Sequence, residues 1–105
     1  QCCTGDLGPK NADQVDIECF MPSREGYGET HSASRLYDYQ CRRLNIRYKD
    51  QSGRNVVAHS LNNTVAASPR LLIPVVEMYQ TPRGDVAVPP VLRPYMNGLD
   101  MIRRG

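Results

Sequence analysis

Three groups of residues could do chemistry. The first is Arg70, two residues after Ser68 and directly after Pro69. Serine caps helices and proline suits a first helical position, so a helix is expected to start here. A helix start gathers unpaired N–H groups and partial positive charge. An arginine in that turn adds a fixed charge and a planar donor fork, a combination suited to a phosphate. The plain alternative is a solvated surface arginine. The second group is Glu29 and Ser32. A carboxylate and a hydroxyl are hard oxygen donors, suited to Mg²⁺ held together with substrate phosphates. On an ideal strand, residues three apart point to opposite faces, so a bend is needed for both to reach one ion. Two solvated polar residues are again the alternative. The third is the small polar patch Asn62, Asn63, Thr64 and Ser68, which leads into the helix.

His31 and His59 have no nearby Cys–His or Asp–His arrangement in the sequence, so acid–base roles are not indicated and polar surface or cleft positions are expected. Arg42, Arg43 and Arg47 make a small basic cluster, read most simply as a solvated face. With 13 Lys and Arg against 11 Asp and Glu, the net charge of +2 is too weak to argue nucleic-acid binding by itself. The cysteines at 2, 3, 19 and 41 form no C-x-x-C pair and do not suit zinc. The chain is not cysteine-dense and shows no leader-like stretch, so four thiols in a reducing compartment are expected. No apolar run approaches the ~20 residues of a membrane span.

The elements that must position these residues follow from periodicity. Over 15–21, Val15, Ile17, Cys19 and Met21 alternate with Asp16, Glu18 and Phe20, a strand of period two. Residues 22–26 (PSREG) form a turn, and 27–34 a second, mostly polar strand. Residues 36–43 fit either a helical turn or extended chain. Residues 44–48 and 55–61 read as paired strands around a polar loop over 49–54. Leu71, Leu72, Val75, Val76 and Tyr79 lie on one helical face, with a kink expected at Pro74. Residues 81–85 are a turn, and the prolines in 86–92 leave room for a short edge strand only. The 105 residues thus predict one partial α+β domain over 1–105. It consists of an antiparallel sheet of about four strands with one helix packed on it, a thin core and an open sheet edge.

The stretches SASRLYDYQCRRLNIRYKD, HSLNNTVAASPRLLIPVVEMYQ and VPPVLRPYMNGLDMI occur in that order. Together they closely resemble the C-terminal end of the catalytic domain of seryl-tRNA synthetase, a class II aminoacyl-tRNA synthetase. The resemblance runs from about Thr4 to Ile102, and the Asn-Asn-Thr and Pro-Arg forms look bacterial or mitochondrial.

The resemblance implies an incomplete class II core that activates serine with ATP and Mg²⁺ and transfers it to tRNA(Ser). Glu29, Thr30, His31 and Ser32 match the family's ATP-contact segment, in which the glutamate and serine hold the metal. Asn62 and Thr64 match positions lining the serine pocket. Arg70 matches the motif 3 arginine on the γ-phosphate, the catalytic residue of the set. His31, Arg35 and Pro74 depart from the usual pattern without removing a matched ligand.

The family's coiled-coil arm, motif 1 and motif 2 are not in these residues. The resemblance therefore implies a piece of a longer homodimeric enzyme, in the mitochondrial matrix or cytoplasm, with the piece alone inactive. A non-catalytic synthetase-like paralogue serving as a binding or assembly module is the alternative.

Overall fold

The computed structural model describes all 105 residues, which group into two compact units. The first holds Gln1–Glu18 and Glu29–Ala67; the second holds Cys19–Gly28 and Ser68–Gly105.

A three-stranded sheet has the order β1 (Asp13–Met21), β2 (Gly26–Tyr37), β5 (Ser60–Thr64). β1 and β2 form a hairpin whose distal residues belong to the second unit. The turn is a 3-10 segment, Pro22–Arg24, closed by Glu25 at φ 49°. β2 and β5 pair antiparallel, with Ser32 opposite Thr64, Ala33 opposite Asn63 and Ser34 opposite Asn62. The register shifts between Arg35 and Tyr37. Tyr37 takes a positive φ of 46° there, a strained position for a bulky residue.

In the first unit, β2 is followed by α1 (Tyr39–Leu44), which resolves the ambiguous stretch as helical. Asn45 ends it in the left-handed region, donating its N–H to the carbonyls of Cys41 and Arg42, a common way to stop a helix. This shortens the strand expected over 44–48 to β3 (Arg47–Lys49), because Leu44 is still helical. β3 pairs with β4 (Asn55–Val57) around a loop held by Asp50, whose carboxylate accepts from the N–H groups of Ser52 and Arg54. The strand expected over 55–61 is split in two. β4 serves β3, and the chain resumes as β5 beside β2. Leu36 and Cys41, each 2% exposed, are the buried apolar side chains of this unit. The face of β1 that carries Val15 and Ile17 is half open, with Val15 at 49% and Ile17 at 58% exposure.

In the second unit, α2 (Ser68–Met78) begins at Ser68-Pro69 as the sequence predicts. It continues as helix through Pro74, whose missing N–H removes a bond without ending the element. Pro74 is buried, so packing holds the helix across the defect. The N–H of Ser23 donates to the Glu77 carboxylate at 3.4 Å and so ties the 3-10 turn to α2. Met21 is fully buried, and a Cβ on Gly28 would come within 2.9 Å of its Cε, so glycine suits the close approach. The edge strand is only β6 (Val86–Ala87), paired with β7 (Met101–Ile102), and a 3-10 stretch Pro90–Met96 lies between them. Neither β7 nor that stretch was legible from the proline-rich pattern. The result is an α+β fold in which the expected single sheet is divided into a three-stranded antiparallel sheet and the separate β3–β4 ladder, with the β6–β7 ladder and a second helix in addition. No helix is long and apolar enough to cross a membrane, and no cysteine is in a disulfide.

Candidate active site

Directly paired residues of antiparallel strands point to the same face, with Cβ atoms about 5 Å apart. The β2–β5 register therefore sets Ser32 beside Thr64 and Ser34 beside Asn62. Four small polar side chains form one patch. Their sequence neighbours Ala33 and Asn63 take the other face. That face carries two shallow depressions of 340 and 290 Å³, both bordered by Val15, Ala33 and Asn63.

On β1, Asp16 accepts a hydrogen bond from the Cys2 thiol at 2.9 Å and one from the Gln14 amide at 3.0 Å. Asn11 donates to Gln14 and, at 3.5 Å, to Ser34. The donors around Asp16, the Cys2 thiol first, hold its carboxyl below the usual range. The same carboxylate pushes the Cys2 thiol up to about 11, with burial adding to the effect. Asp16 also borders a 480 Å³ cleft with Cys2, Asp6 and Glu18.

Thr30 is fully buried. Its hydroxyl lies 3.1 Å from the Ile17 carbonyl and 2.8 Å from His31 Nδ1. The Ala67 N–H donates to the Thr30 carbonyl at 2.8 Å, folding the chain beyond β5 back against the residue next to Glu29. The structure thus gathers Thr30, Ser32, Asn62 and Thr64 within one unit. Glu29 lies on the same continuous strand, which shows its pairing shift with β5 at Arg35/Tyr37. Arg70 occupies the first turn of α2 in the other unit, with its side chain exposed. Period two marks Asp16 only as part of the second face of the strand over 15–21, and Gln14 falls in the Gly-, Pro- and Asn-rich stretch before it, which reads as loop.

No grouping of three or more His, Cys, Asp or Glu side chains is set to hold a metal. Glu29 and Ser32 lie three apart on β2, and its register shift with β5 falls beyond both, at Arg35/Tyr37.

An antiparallel sheet with a polar patch of this register, followed at once by a Pro-Arg helix start, belongs to a defined class. The chain is a member of the tRNA synthetase class II core domain family (G, H, P, S and T), which it matches over residues 1–79. Within that class it is similar to serine–tRNA ligases. The enzyme of Deinococcus radiodurans is 48% identical over 102 residues, covering 97% of this chain and 24% of its own. That of Treponema denticola is 48% identical over 102 residues, covering 95% and 24%. The seryl-tRNA synthetase of Pyrococcus horikoshii, solved with ATP, superposes with a TM-score of 0.89 at 39% identity, over 98% of this chain and 23% of that one. The chain therefore spans about a quarter of the length of the relatives it matches.

Proposed function

We propose that this chain supplies the C-terminal part of the catalytic domain of a serine–tRNA ligase, as one partial domain of a longer homodimeric protein. The protein would act where translation occurs, in the mitochondrial matrix or cytoplasm. The reading rests above all on the register that sets Ser32 against Thr64 and Ser34 against Asn62. It occurs in a chain similar over 97% of its length to a serine–tRNA ligase.

In this reading Asn62 and Thr64 read the serine hydroxyl. Polar groups that bound serine would satisfy and alanine would leave unpaired reject alanine by ~10⁴ or more. Glu29, Thr30, His31 and Ser32 form the ATP-contact segment. Thr30 sets its backbone through the bond to Ile17, and Glu29 and Ser32 offer oxygens to Mg²⁺. The ion supplies charge neutralisation on the phosphates. Arg70 matches the family's arginine on the far phosphate, which its guanidinium would grip. There it stabilises charge that builds on pyrophosphate as the serine carboxylate displaces it. The tRNA(Ser) acceptor end then takes the seryl group, with the tRNA body held by parts outside these residues.

The test is serine-dependent ATP–pyrophosphate exchange by the full-length protein that contains this chain. Exchange with serine and not with alanine is expected; its absence in a folded, ATP-binding protein overturns the reading. The isolated 105 residues are expected to show none.

A further inference from the structure

Residues 38–54 hold five of the chain's thirteen Lys and Arg but only two of its eleven acids, a surplus of three where the whole chain has +2. Both acids are engaged locally. Asp38 pairs with Arg42 at 2.6 Å and Asp50 with Arg54 at 3.1 Å, each four residues apart. Arg43, Arg47 and Lys49 have no carboxylate partner, and every residue from Arg42 to Lys49 is exposed. Two of the three cations are held in place. The Arg43 guanidinium lies 3.6 Å from the centroid of the Tyr39 ring and donates to the Tyr39 carbonyl at 3.1 Å. Arg47 Nε donates to the Asn45 side chain at 2.8 Å, which leaves the terminal N–H groups of the fork for another acceptor. Arg47 and Lys49 stand opposite Val57 and Asn55 of β4. Being two apart on one strand, they point to the same face about 7 Å from each other. A planar fork beside an ammonium suits phosphate oxygens. An exposed row of such groups suits the successive phosphates of a nucleic-acid strand. β4 runs through Ala58 and His59 straight into β5, which carries Asn62 and Thr64.

We propose that the β3–β4 hairpin, through Arg47 and Lys49 and with Arg43 at the end of α1, contacts the phosphate backbone of the RNA stem that leads to the acceptor end. The inference rests on the reading above that the protein charges tRNA(Ser). These side chains touch no reacting atom. They supply affinity that weakens with salt, because each phosphate contact releases condensed counterions.

The experiment is equilibrium binding of tRNA(Ser) to the full-length protein across a KCl series. The slope of log affinity against log salt counts phosphate contacts. Arg47→Gln and Lys49→Gln are each expected to make that slope shallower by about one, and the double variant by about two. Lys10→Gln removes an equally exposed cation from the N-terminal segment and is expected to leave the slope as it was. Serine-dependent ATP–pyrophosphate exchange, run without tRNA, should be the same in every variant as in the parent. An unchanged slope in the double variant overturns the inference, and so does an equal loss in Lys10→Gln, which would mark diffuse net charge. In either case persisting exchange leaves the ligase reading standing. If the parent protein shows no serine-dependent exchange, that reading has failed, and the inference with it.

Discussion

Ser32 and Thr64 stand directly opposite one another on β2 and β5, on the same face as the pair Ser34 and Asn62. The proposed metal ligand and the proposed reader of the serine hydroxyl are therefore immediate neighbours. Thr64→Val keeps the branched shape and removes the hydroxyl. In the full-length protein it is expected to lower kcat/KM for serine in the exchange reaction by roughly 10–100-fold with the KM for ATP little changed. Discrimination against alanine should fall in parallel. An equal loss for both substrates would place Thr64 outside the pocket.

Arg70→Ala is expected to lower the exchange rate by about 10²–10³-fold, the usual cost of removing one transition-state charge donor. Arg70→Lys should recover only part, because a point charge replaces a planar fork. Rate measurements at saturating serine and ATP separate this effect from weaker binding.

The Cys2 thiol, raised from 9.0 to about 11 by Asp16, is expected to be slow to react. At pH 8 its thiolate fraction is about a hundredfold below that of an ordinary thiol. Alkylation followed by peptide mass spectrometry should show Cys2 lagging, and Asp16→Asn should quicken it. Because the folded form holds this proton more tightly than the unfolded one, the group's contribution to stability is complete below about pH 9. It is lost as pH rises towards 11.

Leu36 is 2% exposed and sits within the register shift between Arg35 and Tyr37. Leu36→Ala is expected to cost about 2–5 kcal/mol of stability, measured by urea unfolding of the full-length protein. It should also weaken serine binding, since the shift sets which residues of β5 share the face of Ser32.

Local patterns that carry their own physics were legible. Ser68-Pro69 marked the start of α2, period two marked β1, and the hairpin of β3 and β4 was called from its polar glycine loop. What went unread depended on partners distant in sequence. Leu44 has the alternation of a strand with Ile46 and Tyr48, yet it ends α1, because Asn45 stops the helix one residue later. Ser60–Thr64 lacks apolar alternation, yet it pairs with β2.

Taken alone, the sequence determined which donors exist: a carboxylate and a hydroxyl at 29 and 32, small polar groups at 62 and 64, and a guanidinium in the first turn of a helix. It also determined the family, since the sequence matches the class II core over residues 1–79. Only the tertiary structure decided that Ser32 lies against Thr64 and Ser34 against Asn62. The reason is register. A one-residue slip of β5 along β2 would turn every side chain to the opposite face, and long-range pairing and the shift at Tyr37 set that register.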